Sequence, residues 1–197
     1  MRSVVVTTLG GVSGPDDGGD ALIVETASRL AEIEGWAAVT PRRLAERAGV
    51  DVGDLYRRFP NPDSIIAAVA LRGFADLTTR LTEARQAVSD PCRAWAAVVS
   101  AYLDFAYANP EVYDAMLAHT PDLTLGAAAV PAAPRAAFAE LRAALAPLTA
   151  GRDQDTLAEV GWSVLHGLVM LTRGGRLRPG TQEERETLIA QRLFARP

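Results

Sequence analysis

Between Thr40 and Phe59 the chain reads TPRRLAERAGVDVGDLYRRF, and this stretch limits the possible folds more than any other. Thr40 is a good helix cap and Pro41 suits a first helical turn, so a short helix is expected from about Pro41 to Ala48. Gly49 can take a positive φ and end it. Asp51 then caps another short helix from Val52 to about Arg58, with Asp54 close to the same N-terminus. Leu44, Val50 and Leu55 can form the wedge of core that locks the angle between the two, and Ala45 is small enough to let them cross closely. A helix that reads DNA needs that angle fixed, because its N-terminal end must face the major groove while the preceding helix straddles the backbone.

The rest of the chain reads as helix throughout, with no competing strand signal. Asp20 is the expected cap of a first helix, carried by Ile23, Ala27, Leu30 and Ala31 and stopped at Gly35, and Trp36 to Val39 connect it to the next. Pro60, Asn61 and Pro62 break the chain before a long fourth helix, about Asp63 to Val88, that links the two halves. Further helices are expected at about Asp90 to Ala108, Pro110 to His119, Pro131 to Ala146, Arg152 to Arg173 and Thr181 to Ala195, with a loop from Thr120 to Val130. The expected architecture is all-α with about nine helices: a mobile arm over 1–19, a three-helix unit over 20–66, and a helical body over 67–197.

The order of Glu34-Gly35-Trp36, Thr40, LAERAGV, Leu55-Tyr56 and Phe59, followed by a break and a long apolar helix, resembles the TetR family of transcriptional regulators from about Ala21 to Phe74. In the body, Trp162-Ser163-Val164-Leu165-His166-Gly167 resembles the tryptophan, histidine and glycine signature of one TetR subgroup, and Asn109-Pro110-Glu111 also suits it. The resemblance implies a helix-turn-helix DNA-binding domain and a ligand-binding, dimerising body. It makes Val52 to Arg58 the recognition helix, so that Val52, Gly53, Asp54, Tyr56, Arg57 and Arg58 lie at DNA. It also places Thr40 and Tyr56 at phosphates, with Arg42 and Arg43 adding charge nearby. Two departures stand out: Pro62 where the family has a lysine, and acids at 51 and 54 where it prefers serine or threonine. A carboxylate in the groove can accept only from a cytosine amino group.

The formal net charge of −4 and pI near 5.2 exclude a generally basic nucleic-acid binder, so any DNA contact must be local. From Arg42 to Arg58, five arginines stand against three acids, a net of about +2 that a dimer doubles. All 20 basic residues are arginine, a compositional bias that says nothing of mechanism. One cysteine, Cys92, allows no internal disulfide or cysteine metal cluster, reads as a small core residue and fits a reducing cytoplasm. The apolar run Val4 to Val6 is too short for a secretory signal, and nothing approaches a membrane span.

The helix from Arg152 to Arg173 is apolar on two faces: Leu157, Val160, Val164, Leu168 and Leu171 on one, Trp162, His166, Val169 and Met170 on the other. One face can close the core, and the other can meet a pocket or a second subunit. With Leu188, Ile189, Leu193 and Phe194 of the last helix, the resemblance implies a homodimer through the last two helices, matched to a palindromic operator on double-stranded DNA. Trp95, Tyr102, Phe105, Tyr113, Met116, Trp162, His166 and Met170 are the candidate lining of a pocket for a small apolar or aromatic effector. No metal or cofactor is expected: His166 reads as a hydrogen-bonded core histidine, and His119 is not its partner. The leading expectation is a ligand-responsive repressor in which the fourth helix couples pocket to DNA. Two alternatives are a helical dimer that keeps the pocket without specific DNA binding, and a helical enzyme on the same fold. No recognisable nucleophile, histidine and acid arrangement supports the enzyme.

Overall fold

The structure is a computed structural model and describes residues 17–118 and 132–191. These residues form nine α-helices and no strand: α1 (Asp17–Glu34), α2 (Pro41–Ala48), α3 (Val52–Arg58), α4 (Pro62–Gln86), α5 (Pro91–Ala108), α6 (Pro110–Ala118), α7 (Ala132–Leu145), α8 (Gln154–Arg173) and α9 (Gln182–Gln191). Short 3-10 turns at Trp36–Ala38 and Ala146–Leu148 follow α1 and α7. The expected arm before residue 17, the loop from Thr120 to Val130, His119, Leu193 and Phe194 lie outside the described residues.

Local chemistry sets most of the boundaries. Thr40, Asp51, Asn61, Asp90 and Asp153 each cap a helix by accepting from a backbone N–H that would otherwise lack a partner, and Asn61 with Ser64 completes a reciprocal capping box at α4. Pro41, Pro62 and Pro91 sit at helix starts, where a missing N–H costs nothing. The first boundary differs from expectation. The first helix already includes Asp17, so Asp20 is not its cap; the Asp20 carboxylate instead accepts from Arg58 Nη1 of α3 at 2.7 Å.

The core is continuous from the N-terminal helices to the body, and α4 is its spine, packing against α1, α5, α6 and most extensively α7. The last helix packs on α5 rather than on α8. A close crossing joins α4 to α6: a Cβ added to Gly73 would come within 2.6 Å of Val112 Cγ1 and 2.8 Å of Met116 Sδ. On α8 the buried row is Leu157, Ala158, Gly161, Leu165, Leu168 and Val169. It splits the expected first face, because Val160 and Leu171 are exposed and Val164 is half-buried. The helix turns its small residues, Ala158 and Gly161, toward the interior, and a reading weighted by large side chains misplaces the centre of the face.

Candidate nucleic-acid interface and buried cavity

Gly49 has φ 67° at the end of α2, and its N–H donates back to the carbonyls of Ala45 and Glu46, which turns the chain into α3. Beneath the turn, Leu44, Ala45 and Leu55 are buried and Val50 half-buried, so the angle between α2 and α3 is set by packing. The outward side of α3 presents Val52, Gly53, Tyr56 and Arg57, with Val52 38% and Tyr56 48% exposed. Asp51 points back along the helix, accepting from Gly53 N at 2.7 Å. Thr40 Oγ1 accepts from Arg43 N at 3.4 Å, which leaves its hydroxyl proton available to an acceptor such as a phosphate oxygen.

Most of the arginines here are held by nearby acids. Arg43 Nη2 lies 2.9 Å from both Glu34 carboxylate oxygens, and Arg47 approaches the same carboxylate at 3.9 Å. Arg57 pairs with Asp54 one turn earlier. Arg42 is exposed and makes no ion pair among the described residues. Such exposed pairs are worth only about 0–1 kcal/mol, so a phosphate can displace the acid at little cost.

In the body, Phe74 and Leu77 of α4, Tyr102 of α5, Pro134, Ala137, Phe138 and Leu141 of α7, and Trp162 of α8 line an apolar cavity of about 20 Å³. That is room for about one water molecule. Behind this wall a chain of polar groups crosses three helices. Trp162 Nε1 donates to Tyr102 Oη at 3.1 Å, the hydroxyls of Tyr102 and Tyr113 lie 2.8 Å apart, and Tyr113 Oη lies 2.9 Å from His166 Nδ1. Burial pushes the Tyr102 hydroxyl up to about 12 and the Tyr113 hydroxyl well above its ordinary value. Burial also lowers the pKa of His166, against a weaker opposite pull from the Asp114 carboxylate.

A family model for bacterial regulatory proteins of the tetR family matches residues 23–69, and one for the tetracyclin repressor-like C-terminal domain matches residues 95–195, more than half of the chain. The chain belongs to the TetR family. It is therefore a DNA-binding transcriptional regulator with its DNA-binding unit at the N-terminal end. Nucleoid occlusion factor SlmA of Haemophilus ducreyi is 30% identical over 86 residues, which are 44% of this chain and 43% of SlmA, so the match spans under half of that curated relative. A protein of unknown function from Rhodococcus sp. RHA1 superimposes with a TM-score of 0.74 at 24% identity, over 87% of this chain and 90% of that one. The TetR family transcriptional regulator PfmR from Thermus thermophilus gives 0.59 at 22% identity, over 85% and 96%. These two likenesses concern the fold.

Within this TetR-family frame, the nine residues expected at DNA fall on one end of the molecule, in α3 and the start of α2. Val52, Gly53, Tyr56, Arg42 and Arg57 are exposed there, while Asp54 and Arg58 are partly covered and ion-paired. Of the eight expected pocket residues, Tyr102 and Trp162 line the cavity, and Tyr113 and His166 stand behind them. The other four lie elsewhere. Trp95 is buried with its Nε1 donating to the Ile189 carbonyl of α9 at 3.1 Å; Phe105 carries Arg80 over its ring; Met116 fills the space over Gly73; Met170 is exposed. Large apolar side chains close several separate helix contacts, and their spacing along the chain does not tell one contact from another.

Sequence reasoning missed Phe74, Leu77, Pro134, Ala137, Phe138 and Leu141 as cavity walls. It also missed the join between the two halves. The Glu32 carboxylate of α1 accepts from the N–H groups of Val112 at 2.8 Å and Glu111 at 3.3 Å, capping α6, and Trp36 Nε1 donates to the Glu111 carbonyl at 3.1 Å. Burial raises the Glu32 pKa despite those two donors. Nothing local marks Glu32, because its partners lie some 80 residues on. No group of three or more metal-ligating side chains occurs among the described residues, and no described helix is long and apolar enough to cross a membrane.

Proposed function

We propose that this protein is a cytoplasmic repressor that binds a palindromic operator as a homodimer and releases it when a small apolar or aromatic effector enters the α4–α7 cavity. The observation that carries this reading is the outward side of α3, with Val52, Gly53, Tyr56 and Arg57 exposed on a helix whose angle is fixed by Leu44, Ala45 and Leu55 beneath it. Thr40, Arg42, Arg43, Tyr56, Arg57 and Arg58 contact phosphates, while Val52, Gly53 and Asp54 lie nearest the bases. Pairing with Arg57 lowers the cost of carrying Asp54 close to DNA. The residues over 20–66 act as the DNA-binding unit and those over 67–197 as the effector-binding and dimerising body.

The dimer forms through α8 and α9. Val160, Val164 and Leu171 make an outward apolar row on α8, and Leu188 is 51% exposed on α9; a C2 axis would cover both. The cavity is too small for an organic molecule as it stands, and four of its eight lining residues come from α7. An effector therefore wedges α7 away from α4. Movement of α4 reaches α3 through Asn61 and Pro62, and movement of α6 reaches α1 through Glu32 and Trp36. The effector acts only to the extent that it binds the wedged state better than the closed one.

Selection of random duplex fragments by the purified protein at moderate salt tests the reading. Enrichment of a palindrome whose half-sites lie about one helical turn apart, or a small multiple of it, is the expected result. A dimer that enriches no sequence would instead be a ligand-binding relative without specific DNA recognition, and Asp54 would be the first residue to change.

A further inference from the structure

Trp162, Tyr102, Tyr113 and His166 form a hydrogen-bond chain in which only one direction pairs both tyrosine protons. The indole N–H of Trp162 is a donor and nothing else, so Tyr102 Oη must accept from it. In one direction the Tyr102 proton goes to Tyr113 Oη, 2.8 Å away, and the Tyr113 proton to His166 Nδ1 at 2.9 Å. Every proton from the indole to the second tyrosine has an acceptor only if His166 Nδ1 carries a lone pair, which puts the proton of a neutral imidazole on Nε2. Burial holds the imidazole neutral; Asp114 of α6 opposes this weakly, and its own carboxylate is engaged by Arg173 of α8 at 2.8 Å through both oxygens.

The opposite direction would need a proton on Nδ1. Tyr102 Oη would then accept from both Trp162 and Tyr113, and its own proton would have no partner in the chain. In a wall of Phe74, Leu77, Phe138 and Leu141, an unpaired buried hydroxyl proton is costly. The direction is thus set by the Tyr102 proton, which has a partner in the chain only when it points to Tyr113, and is read out at the histidine end.

We propose that this chain sets the chemical class of the effector: Tyr102, which lines the cavity, has its proton committed to Tyr113 and can meet a ligand only as an acceptor, so the site selects an apolar molecule carrying a hydrogen-bond donor. An isosteric ligand with only an acceptor meets lone pair against lone pair, unless the chain reverses and His166 takes a proton on Nδ1. This rests on the cavity being the effector site, and two measurements separate the claims.

The first needs no ligand. The ring nitrogens of His166 are observed by 15N NMR in the full-length protein, with His119→Gln to separate the only other histidine. An unprotonated Nδ1 and a protonated Nε2 at neutral pH are expected, and a proton on Nδ1 would overturn the chain's direction. The second titrates the protein with indole and with benzofuran, which share a shape but differ in having an N–H donor. Indole is expected to bind about tenfold tighter, the worth of one net hydrogen bond, and Tyr102→Phe to abolish the difference. Equal binding of the two, or a preference that survives Tyr102→Phe, would overturn the selection mechanism. Binding of neither would overturn the cavity as the effector site, and the tautomer alone would then decide the chain.

Discussion

The two ends of this molecule handle their polar groups in opposite ways. Around α2 and α3, arginines and acids pair at the surface within a few turns of one another, as in Arg57 with Asp54 and Arg43 with Glu34, and each pair can be exchanged for a phosphate. In the body, Tyr102, Tyr113, Trp162 and His166 pair with one another across three helices, with the two tyrosines buried and Trp162 and His166 half-buried. The surface pairs are exchangeable and suit a site that must meet a polyanion. The interior chain, in the direction proposed above, suits a site that discriminates among apolar molecules. Glu32 and Trp36 join the two by tying α1 to the start of α6.

Substitutions at each end should sharpen this contrast. The largest loss of stability is expected from Leu55→Ala, about 2–5 kcal/mol for a buried leucine beneath the turn, read from the denaturant midpoint. Operator binding should vanish with the fold, so this variant calibrates what unfolding of the DNA-binding end looks like. Gly73→Ala forces a methyl into Val112 and Met116 at the crossing of α4 and α6, and should cost about 1–3 kcal/mol. No loss of thermal stability there would mean that the two helices are free to separate.

Glu32→Ala removes the cap of α6 for about 1 kcal/mol, and it should loosen the response of operator binding to effector more than it weakens operator binding itself. An unchanged effector response would remove Glu32 from the join. Smallest is a pH effect. His166 has a lowered pKa in the folded state, so the unfolded chain takes the proton first. Stability that is complete above the ordinary value of 6.5 should therefore fall as pH drops through it, levelling off below the folded-state value. In His166→Gln that part of the profile should be absent.

The contrast also explains what could be read from the sequence. Helices α2 and α3 were legible to the residue because Thr40, Pro41, Gly49 and Asp51 act on their immediate neighbours. The presence of the body helices was equally plain, with ends within a residue or two where the described residues reach them; the end expected at Ala195 lies outside those residues. Asp20 misled because a capping residue type was read where a partner 38 positions later, Arg58, uses the carboxylate. Only two of the eight cavity residues were legible: Tyr102 and Trp162 were nameable as aromatic groups of the body helices, whereas Pro134, Ala137 and Phe138 acquire their role only when α7 is laid on α4. Glu32 carried no local signal, since a glutamate near the end of an amphipathic helix is usually solvated.

The most direct test of the account is a salt titration of binding to the selected palindrome and to a scrambled duplex, with wild type beside Tyr56→Ala. For the wild type, affinity should fall steeply with salt and favour the palindrome by about a thousandfold or more. Tyr56→Ala should bind the palindrome more weakly yet remain a dimer. Weak, flat binding that ignores sequence, or a Tyr56→Ala protein that binds as wild type does, would contradict the assignment of α3 as the surface that reads DNA.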